Sequence, residues 1–325
     1  MTKDLVRFQQ KINQGLSEIK FGEHPQELYE PIRYMISLGG KRMRPLLVLL
    51  AYNAIKEDWE KALPAAMSVE LFHNFTLIHD DIMDEAPIRR GQPTVHAKWD
   101  RNIAILSGDA MLIYAYELLI DNDDADLKYR LRLFNQCSID VCEGQQLDMN
   151  FEALDVVDEG QYIHMIQLKT AVLLGFCLEL GALLAGLSKI EAEKMRHFGI
   201  NMGIGFQLMD DILDVYADKD KFGKQVGGDI ISNKKTFLLI KALELAEGDH
   251  RSELNTWLEL TSFDPKEKVQ KITSIYDQLN VRKIAELKMN EYFDKAFEIL
   301  MSVGIDQQAL DPLRNFAKAL IKREY

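Results

Sequence analysis

The chain has 325 residues, 47% of them hydrophobic, and a formal net charge of −12 at neutral pH. This length and apolar content can bury a large core, while the acidic balance argues against nucleic acid as the main partner. The first 20 residues lack the basic start and apolar run of a signal peptide. Cys137, Cys142 and Cys177 lack the spacing of a metal or redox site, and we expect reduced thiols in a cytoplasmic protein.

Apolar residues recur at helical spacing along nearly the whole chain, and no alternating pattern predicts a hairpin. The predicted helices are Asp4–Lys20, Pro25–Leu38, Arg44–Ile55, Trp59–Met83, Val95–Trp99, Ile103–Ile120, Leu127–Met149, Glu159–Leu187, Lys189–Tyr216, Thr236–Ala246, Ser252–Leu258, Glu267–Leu279, Val281–Val303 and Leu310–Lys322. The apolar stretch from Ala171 to Leu187 contains Glu179, and we expect a buried helix there rather than a membrane span. Because no linker-like change in composition interrupts the chain, we predict one all-α domain over residues 1–325.

Three aspartates, Asp80, Asp81 and Asp84, stand where the helix predicted for Trp59–Met83 ends. Asp80 and Asp84 share one helix face, and like charges at this spacing repel each other. The dipole at a helix C-terminus also disfavours anions. A bound cation would offset both costs, and carboxylate oxygens are the ligands that suit Mg²⁺.

The same arrangement recurs downstream, where Asp210, Asp211 and Asp214 follow another apolar helical run. A single motif of this kind is often an acidic, solvated helix face. Two such motifs that both end apolar helices are harder to explain by solvation. We therefore expect the two helices to face each other and to hold several divalent ions between their carboxylates.

Basic residues are concentrated at a few places in this acidic chain. They are Lys41 and Arg44 in the loop Gly39–Pro45, the pair Arg89-Arg90, Lys169 beside Thr170, Lys224 in a glycine-bearing loop, and Lys234-Lys235 before Thr236. Each alone could be an ordinary basic connection or a lysine that reaches solvent. Together with the aspartates they predict a polyphosphate substrate, held between Mg²⁺ and Lys or Arg side chains.

With these motifs in this order and spacing, the chain resembles a trans-isoprenyl diphosphate synthase of the polyprenyl synthetase family. The segments that carry the resemblance are Gly39–Pro45, Asp80–Asp84 with Arg89-Arg90-Gly91, Lys169-Thr170, Gly205–Asp214, and Lys224 with Lys234-Lys235-Thr236. The resemblance implies a large helical bundle around a central cavity, usually in a homodimer. It also implies Mg²⁺-dependent head-to-tail condensation of isopentenyl diphosphate with dimethylallyl, geranyl or farnesyl diphosphate.

The resemblance further implies residue roles. The metal ligands are expected to be Asp80, Asp84 and Asp210, with Asp81, Asp211 and Asp214 as less direct ligands, for up to three Mg²⁺ ions. Isopentenyl diphosphate is expected to contact Lys41, Arg44, His73 and Arg90. The allylic diphosphate is expected to contact Arg89, Lys169, Thr170, Gln207, Lys224 and Lys234. Asp80, Asp84, Asp210, Lys169 and Arg89 are the expected catalytic residues.

Two phenylalanines precede the first aspartate motif at positions that would limit product length. At about 1.5 Å rise per residue, Phe75 lies about 7.5 Å and Phe72 about 12 Å below Asp80. Either ring could form a floor for the growing chain, or both could simply pack in the core. We expect a C15 or C20 product, with neither favoured.

Two other functions are the alternatives to this one. A terpene cyclase or head-to-head synthase would usually lack the paired basic residues of the isopentenyl diphosphate site. A non-catalytic partner subunit of a heteromeric synthase would typically have lost aspartates from one motif, and both motifs are complete here.

Overall fold

The computed structural model describes residues 3–121, 126–217 and 227–321, and their regular structure is almost entirely helical. The helices are α1 Lys3–Glu18, α2 Gln26–Ser37, α3 Met43–Asn53, α4 Leu63–Met83, α5 Val95–Lys98, α6 Arg101–Ile120, α7 Leu127–Ala153, α8 Glu159–Ile166, α9 Val172–Leu184, α10 Lys189–Tyr216, α11 Gly228–Ile231, α12 Phe237–Leu245, α13 Gly248–Glu259, α14 Pro265–Gln278, α15 Val281–Met301 and α16 Asp311–Ile321. A 3₁₀ turn covers Trp59–Ala62 and a π-helical segment covers Gln167–Ala171. The predicted all-α class is confirmed.

Aspartate side chains begin several of these helices by accepting hydrogen bonds from their first backbone N–H groups. Asp100 accepts from Ile103 N at the start of α6. Asp158 and Gln161 form a capping box at the start of α8, which satisfies two N–H groups reciprocally. Asp264 accepts from the first turn of α14. Each cap supplies a partner that the helix backbone cannot provide for itself.

A short hairpin follows α4, although no alternating pattern in the sequence indicated one. Strand β1, Ile88–Arg89, pairs antiparallel with strand β2, Gln92–Pro93. The two turn residues, Arg90 and Gly91, both have positive φ, 53° and 75°, as the two-residue type I′ hairpin turn requires. Strands of two residues are too short to show an alternating pattern, so periodicity could not reveal them.

The chain divides into two compact units. The first contains the described residues of Met1–Gln136, Phe176–Arg196 and Val303–Asn315. Its most extensive contact joins α4 to α6, with Val69 and Ala104 among the fully buried residues. Gly181 lies so close to the Val48 carbonyl that a Cβ there would overlap it. The one-domain organisation predicted for residues 1–325 stays a prediction.

The second unit contains the described residues of Cys137–Gly175, His197–Ser302 and Phe316–Tyr325. Here the helix predicted over Glu159–Leu187 is divided by the π-helical segment Gln167–Ala171. Glycines let two helices approach this segment closely, since a Cβ on Gly144 would overlap the Lys169 backbone and one on Gly203 would meet Ala171. A π-bulge of this kind is frequent at functional sites.

Two helical stretches are long and apolar enough to cross a membrane by length and composition. In Glu159–Leu184, 78% of the apolar window is buried within the protein, whereas in Arg101–Ile120 the figure is 33%. Burial of α9 agrees with the buried helix expected for the stretch that contains Glu179. The core helix of a folded protein passes the same test of length and apolarity.

Glu179 is a carboxylate inside an apolar helix, with 2% of the residue exposed. Its Oε2 lies 3.5 Å from Arg196 Nε and makes no hydrogen bond within the described residues. Burial raises the pKa of Glu179 to about 7, although Arg196 acts to lower it. Because the unfolded chain releases this proton near the ordinary glutamate pKa of about 4.5, the free energy of unfolding falls as pH rises toward 7.

We expect Glu179→Gln to stabilise the protein at about pH 8 by roughly 2–3 kcal/mol and to have little effect at about pH 4, where both forms are neutral. Thermal unfolding of both proteins across this range measures the difference. The control is Glu193→Gln, which removes an exposed partner of the same arginine. A stability difference that is the same at every pH would contradict the assignment.

Candidate active site

The first aspartate motif occupies the last turn of α4. Asp80 is half-buried, and Asp84, the residue after the helix, is exposed. The backbone N–H of Asp84 donates to the Asp80 carbonyl over 2.8 Å, so the two residues stand one turn apart on the same face, as predicted.

Asp81, between them, faces the interior and is 2% exposed. Its carboxylate accepts from Arg89 Nε at 2.9 and 2.8 Å and lies 2.7 Å from Arg89 Nη2. This charge-assisted pair satisfies both carboxylate oxygens and fixes the plane of the guanidinium. Asp81 was expected to be a less direct metal ligand; in this structure its partner is Arg89.

The neighbouring arginine points elsewhere. The type I′ turn directs Arg90 to the loop before α3, where its Nη1 donates to the Gly39 carbonyl. Gly40 has φ of 141°, and a Cβ there would lie 3.0 Å from the Arg90 guanidinium carbon. The hairpin therefore separates two adjacent arginines and gives each a different set of neighbours.

His73 lies two turns before the motif and meets Arg44, whose Nη1 is 2.9 Å from His73 Nε2. Because a guanidinium can only donate, the imidazole nitrogen must accept, which assigns the neutral tautomer with a proton on Nδ1. Burial, followed by the charges of Arg44, Arg90, Arg89 and Arg42, holds the pKa of His73 well below its usual range. These residues form a strongly cationic cluster suited to a polyanion.

Arg42 was not among the predicted site residues, yet it lies inside this cluster. It is 4% exposed and forms an ion pair with Glu70, whose side chain is also buried, at 2.6 Å. Lys41 beside it is exposed, and Arg44 is half-buried. The run of three basic residues in Gly39–Pro45 gave no indication of which one would turn inward.

The two phenylalanines differ in surroundings. Phe72 is buried, with its ring 5.1 Å from that of Phe134 and 5.7 Å from that of Phe75. Phe75 is half-buried, and its ring centroid also lies 4.7 Å from that of the His79 imidazole. Phe75 is thus held between two rings, and Phe72 packs behind it in the core.

The second aspartate motif lies near the end of α10, in the second unit. Asp210 is exposed, Asp214 is half-buried and Asp211 is 3% exposed. Asp211 accepts from the Tyr162 hydroxyl, and from Gln207 Nε2 and Phe237 N, each at 3.3 Å. Burial raises the pKa of Asp211 to about 7 despite these hydrogen bonds. Asp211, which is expected to be a less direct metal ligand, joins α8, α10 and the start of α12.

Asp229 is a further carboxylate that the sequence patterns did not single out. Its backbone N–H donates to Asp214 Oδ2 over 3.0 Å. Burial raises its pKa to about 6, opposed by Lys234 and reinforced by Asp214, Asp148 and Asp210. Three neighbouring carboxylates therefore disfavour a negative charge on Asp229, and a divalent ion would relieve this repulsion.

Lys169 lies in the π-helical segment, and its Nζ is 2.5 Å from Asp148 Oδ2 on α7. The next residue, Thr170, donates from Oγ1 to Gln207 Oε1 over 3.4 Å. The structure thus brings Lys169, Thr170 and Gln207, three residues expected to contact the allylic diphosphate, into one region of the second unit. Asp148 was missed because its helix carries no motif-like spacing.

The segment before Lys234 is anchored by a buried lysine from α14. Lys268 Nζ donates to Asn233 Oδ1 over 2.6 Å and to the Ile231 carbonyl over 3.4 Å, and it lies 4.1 Å above the Phe263 ring. Nearby, Lys235 Nζ donates to the Phe151 carbonyl over 2.9 Å. Lys224, also expected to bind the allylic diphosphate, lies outside the described residues.

The donor set fits Mg²⁺ in chemistry, because both motifs offer only carboxylate oxygens. Across residues 3–121, 126–217 and 227–321, no group of three or more His, Cys, Asp or Glu side chains is arranged as a ready metal site. Asp84 and Asp210 are exposed, so they can reach ions that enter with a diphosphate. Mg²⁺ commonly binds in this way, through one or two carboxylates plus substrate phosphates and water.

Comparison with known proteins agrees with these features. The family model for polyprenyl synthetase matches residues 25–278. A geranylgeranyl diphosphate synthase from Methanosarcina mazei is 42% identical over 235 residues, 72% of each chain. A short chain isoprenyl diphosphate synthase from Methanothermobacter thermautotrophicus is 35% identical over 317 residues, 97% of this chain and 95% of that protein.

The fold agrees as well. A crystal structure of a geranylgeranyl pyrophosphate synthase has a TM-score of 0.94 with this protein at 40% identity, over 100% of both chains. The geranylgeranyl pyrophosphate synthetase from Pyrococcus horikoshii has a TM-score of 0.91 at 32% identity, over 98% of both chains. From its sequence match, its fold and its two aspartate motifs, the chain belongs to the polyprenyl synthetase family.

Proposed function

We propose that the protein, a short-chain trans-prenyltransferase, condenses isopentenyl diphosphate head-to-tail with an allylic diphosphate and releases a C20 prenyl diphosphate. Relatives at 42% and 40% identity are named geranylgeranyl synthases, which favours C20 over C15. A farnesyl diphosphate synthase from Bacillus subtilis is 38% identical over 233 residues, so a C15 product is the runner-up.

The cationic cluster around His73 is the observation that carries the proposal. Arg44 Nη1 lies 2.9 Å from the histidine, and burial, together with the charges of four arginines, lowers the pKa of His73. A diphosphate carries enough negative charge to offset this concentration of guanidiniums, and arginine forks match its oxygens. We assign isopentenyl diphosphate to Lys41, Arg44, His73 and Arg90.

The allylic diphosphate is the leaving group, and we assign its charge to Arg89, Lys169, Lys224 and Lys234. Arg89 and Lys169 are each already oriented by a carboxylate, Asp81 and Asp148. Such prior orientation lowers the reorganisation that the reaction requires. Asp80, Asp84, Asp210 and Asp214 would hold Mg²⁺, which when bound neutralises charge on the departing diphosphate.

The developing allylic cation needs a neutral, oxygen-rich surrounding. We assign this role to Thr170 and Gln207, whose side-chain oxygens lie 3.4 Å apart. The dipole of a hydroxyl or an amide stabilises a neighbouring positive charge. Because these groups carry no formal charge, they do not capture the cation. Asp211, which accepts from Gln207 at 3.3 Å, would hold the amide in place.

We further propose that the enzyme is a cytoplasmic homodimer. Leu106, Ile113 and Ile120 are exposed on α6 at seven-residue spacing, so they form one apolar stripe that a second copy could cover. The three cysteines are free thiols, as a reducing compartment favours. Measurement of molar mass in solution tests the dimer.

Product analysis tests the function directly. Purified protein is incubated with labelled isopentenyl diphosphate, Mg²⁺ and, in turn, dimethylallyl, geranyl and farnesyl diphosphate, and dephosphorylated products are sized by chromatography. A Mg²⁺-dependent C20 alcohol is the expected result. Absence of product with every primer, from folded protein, would favour the non-catalytic partner subunit instead.

Phe75→Ala is expected to lengthen the product beyond C20, because it removes the half-buried ring that we assign as the floor for the growing chain. Chain-length analysis of both proteins with the same primer measures the change. Phe8→Leu is the control, since Phe8 is a buried aromatic residue of α1 whose ring packs on that of Trp59. Unchanged product length in active Phe75→Ala would exclude the floor.

A further inference from the structure

We infer that the buried ion pair of Arg42 and Glu70 is a positioning device, which orients Lys41 and Arg44 toward isopentenyl diphosphate. Arg42 itself makes no contact with the substrate in this assignment. The inference rests on the proposed function, because it concerns the diphosphate site of that reaction.

Arg42 joins four helices at the point where the basic loop enters α3. Its Nη1 donates to Glu70 Oε1 on α4 over 2.6 Å, its Nε to Asn13 Oδ1 on α1 over 3.0 Å, and its Nη2 to the Ile36 carbonyl on α2 over 2.9 Å. All three guanidinium nitrogens are therefore used inside the protein. A lysine could not reproduce this fork.

The backbone at Arg42 is in the left-handed region, with φ of 49° and ψ of 37°. Residues other than glycine adopt this conformation at a cost, and they keep it where surrounding contacts dictate it. The side-chain bonds to α1, α2 and α4 supply those contacts. They turn the loop so that position 42 faces inward while Lys41 is exposed and Arg44 half-buried.

One face of α4 contacts both Arg42, which faces the interior, and Arg44, which we assign to the substrate. Glu70 binds Arg42, and one turn later His73 meets Arg44 at 2.9 Å. Asn74 donates to Glu70 Oε1 over 3.3 Å and to the Glu70 carbonyl over 2.7 Å, which restrains the carboxylate. Displacement of Arg42 would therefore shift the loop relative to His73 and to Arg90, which donates to the Gly39 carbonyl.

Glu70 also supplies negative charge to a region crowded with cations. Burial lowers the pKa of Arg90, and the charges of Arg42, Arg89 and Arg44 lower it further, whereas the charge of Glu70 opposes this shift. A carboxylate placed behind the site reduces repulsion among the arginines without competing for the diphosphate, because its Oε1 accepts from Arg42 and Asn74.

The test uses a charge-free replacement of the pair, Arg42→Met/Glu70→Leu. Replacement of a buried ion pair by apolar residues of similar volume often preserves folding, whereas removal of one partner leaves a buried charge. We expect the double variant to keep a melting temperature close to that of the wild type, and Arg42→Met alone to lower it. In both variants we expect KM for isopentenyl diphosphate to rise at least tenfold, roughly the factor lost when one charged contact is misplaced.

The KM for the allylic diphosphate should stay within about twofold in the double variant, since Arg89 is held by Asp81 rather than by the basic loop, and Lys169 and Lys234 lie in the second unit. Ser68→Ala is the matched control. The Ser68 hydroxyl is buried on the same helix and donates to the Ala115 carbonyl over 2.6 Å, so its loss lowers stability without touching the loop. We expect this control to leave KM for isopentenyl diphosphate unchanged.

Calorimetric titration with inorganic diphosphate gives a second measurement that needs no turnover. Weaker binding to the double variant than to the wild type supports the inference. Equal binding, an unchanged KM for isopentenyl diphosphate, or an equal rise in both KM values would overturn it. An inactive wild type would instead contradict the proposed function, and the calorimetric comparison would still decide whether Arg42 and Glu70 shape the anion site.

Discussion

Replacing Asp84 by asparagine is expected to lower kcat by about 10²- to 10³-fold, the loss typical when one preplaced electrostatic group is removed from an active site. Asp84 ends α4 one turn after Asp80 and is exposed. Its carboxylate can therefore approach an incoming metal ion without a cost in packing. Steady-state kinetics over a range of Mg²⁺ concentrations would show both the lower kcat and a higher Mg²⁺ requirement.

The adjacent residue provides the control for charge alone. Glu85 is also exposed and pairs with Arg101 at 3.1 Å, so Glu85→Gln removes one negative charge beside the motif but no expected ligand. We expect near-normal kcat and Mg²⁺ dependence in this variant. Similar losses in both variants would mean that net charge near the site, rather than ligation by Asp84, causes the effect.

Gly144→Ala is expected to reduce kcat by about 100-fold, although the substitution adds a single methyl group. A Cβ at this position would overlap the backbone nitrogen of Lys169 and lie 2.6 Å from its Cα. The obstacle is backbone, so the π-helical segment must move, and Lys169 moves with it away from its 2.5 Å contact with Asp148. A displacement of about 1 Å in a positioned catalytic group can cost 10²-fold in rate.

Two further variants separate this effect from general instability. Gly160→Ala adds the same methyl group within α8, where the nearest atom is a side-chain oxygen of Asp158 at 3.2 Å; we expect normal activity and equal or higher stability. Lys169→Met should reproduce the loss of kcat with the segment in place. A fully active Gly144→Ala protein would show that the segment tolerates displacement.

The spacing of residues along the sequence predicted many of the helices in this structure. The spacing of apolar residues located the helix that ends in Asp80 and Asp84, and the one that carries Asp210. A helix places every third or fourth residue on one face, so the pattern along the chain reports which side is apolar. The family resemblance assigned Arg89 and Arg90 to different diphosphates, and in the structure the two side chains have separate partners.

The partners of the charged residues were not predictable in this way. Arg42 and Glu70 are 28 positions apart, Lys169 and Asp148 are 21 apart, and Tyr162 and Asp211 are 49 apart. No periodicity relates such positions, because they meet through packing between different helices. The short hairpin and the π-helical segment were missed for a related reason, since both depend on contacts with neighbouring elements rather than on their own composition.

The sequence by itself determined the class of this protein: two aspartate motifs and five basic segments, in one order, identify a prenyl diphosphate synthase. The tertiary structure decided which of six equivalent-looking aspartates are exposed and which are buried. Asp84 and Asp210 reach solvent, whereas Asp81 and Asp211 turn inward to Arg89 and Tyr162. The physical reason is that a carboxylate taken out of water must find an internal partner, and that partner comes from a distant segment of the chain.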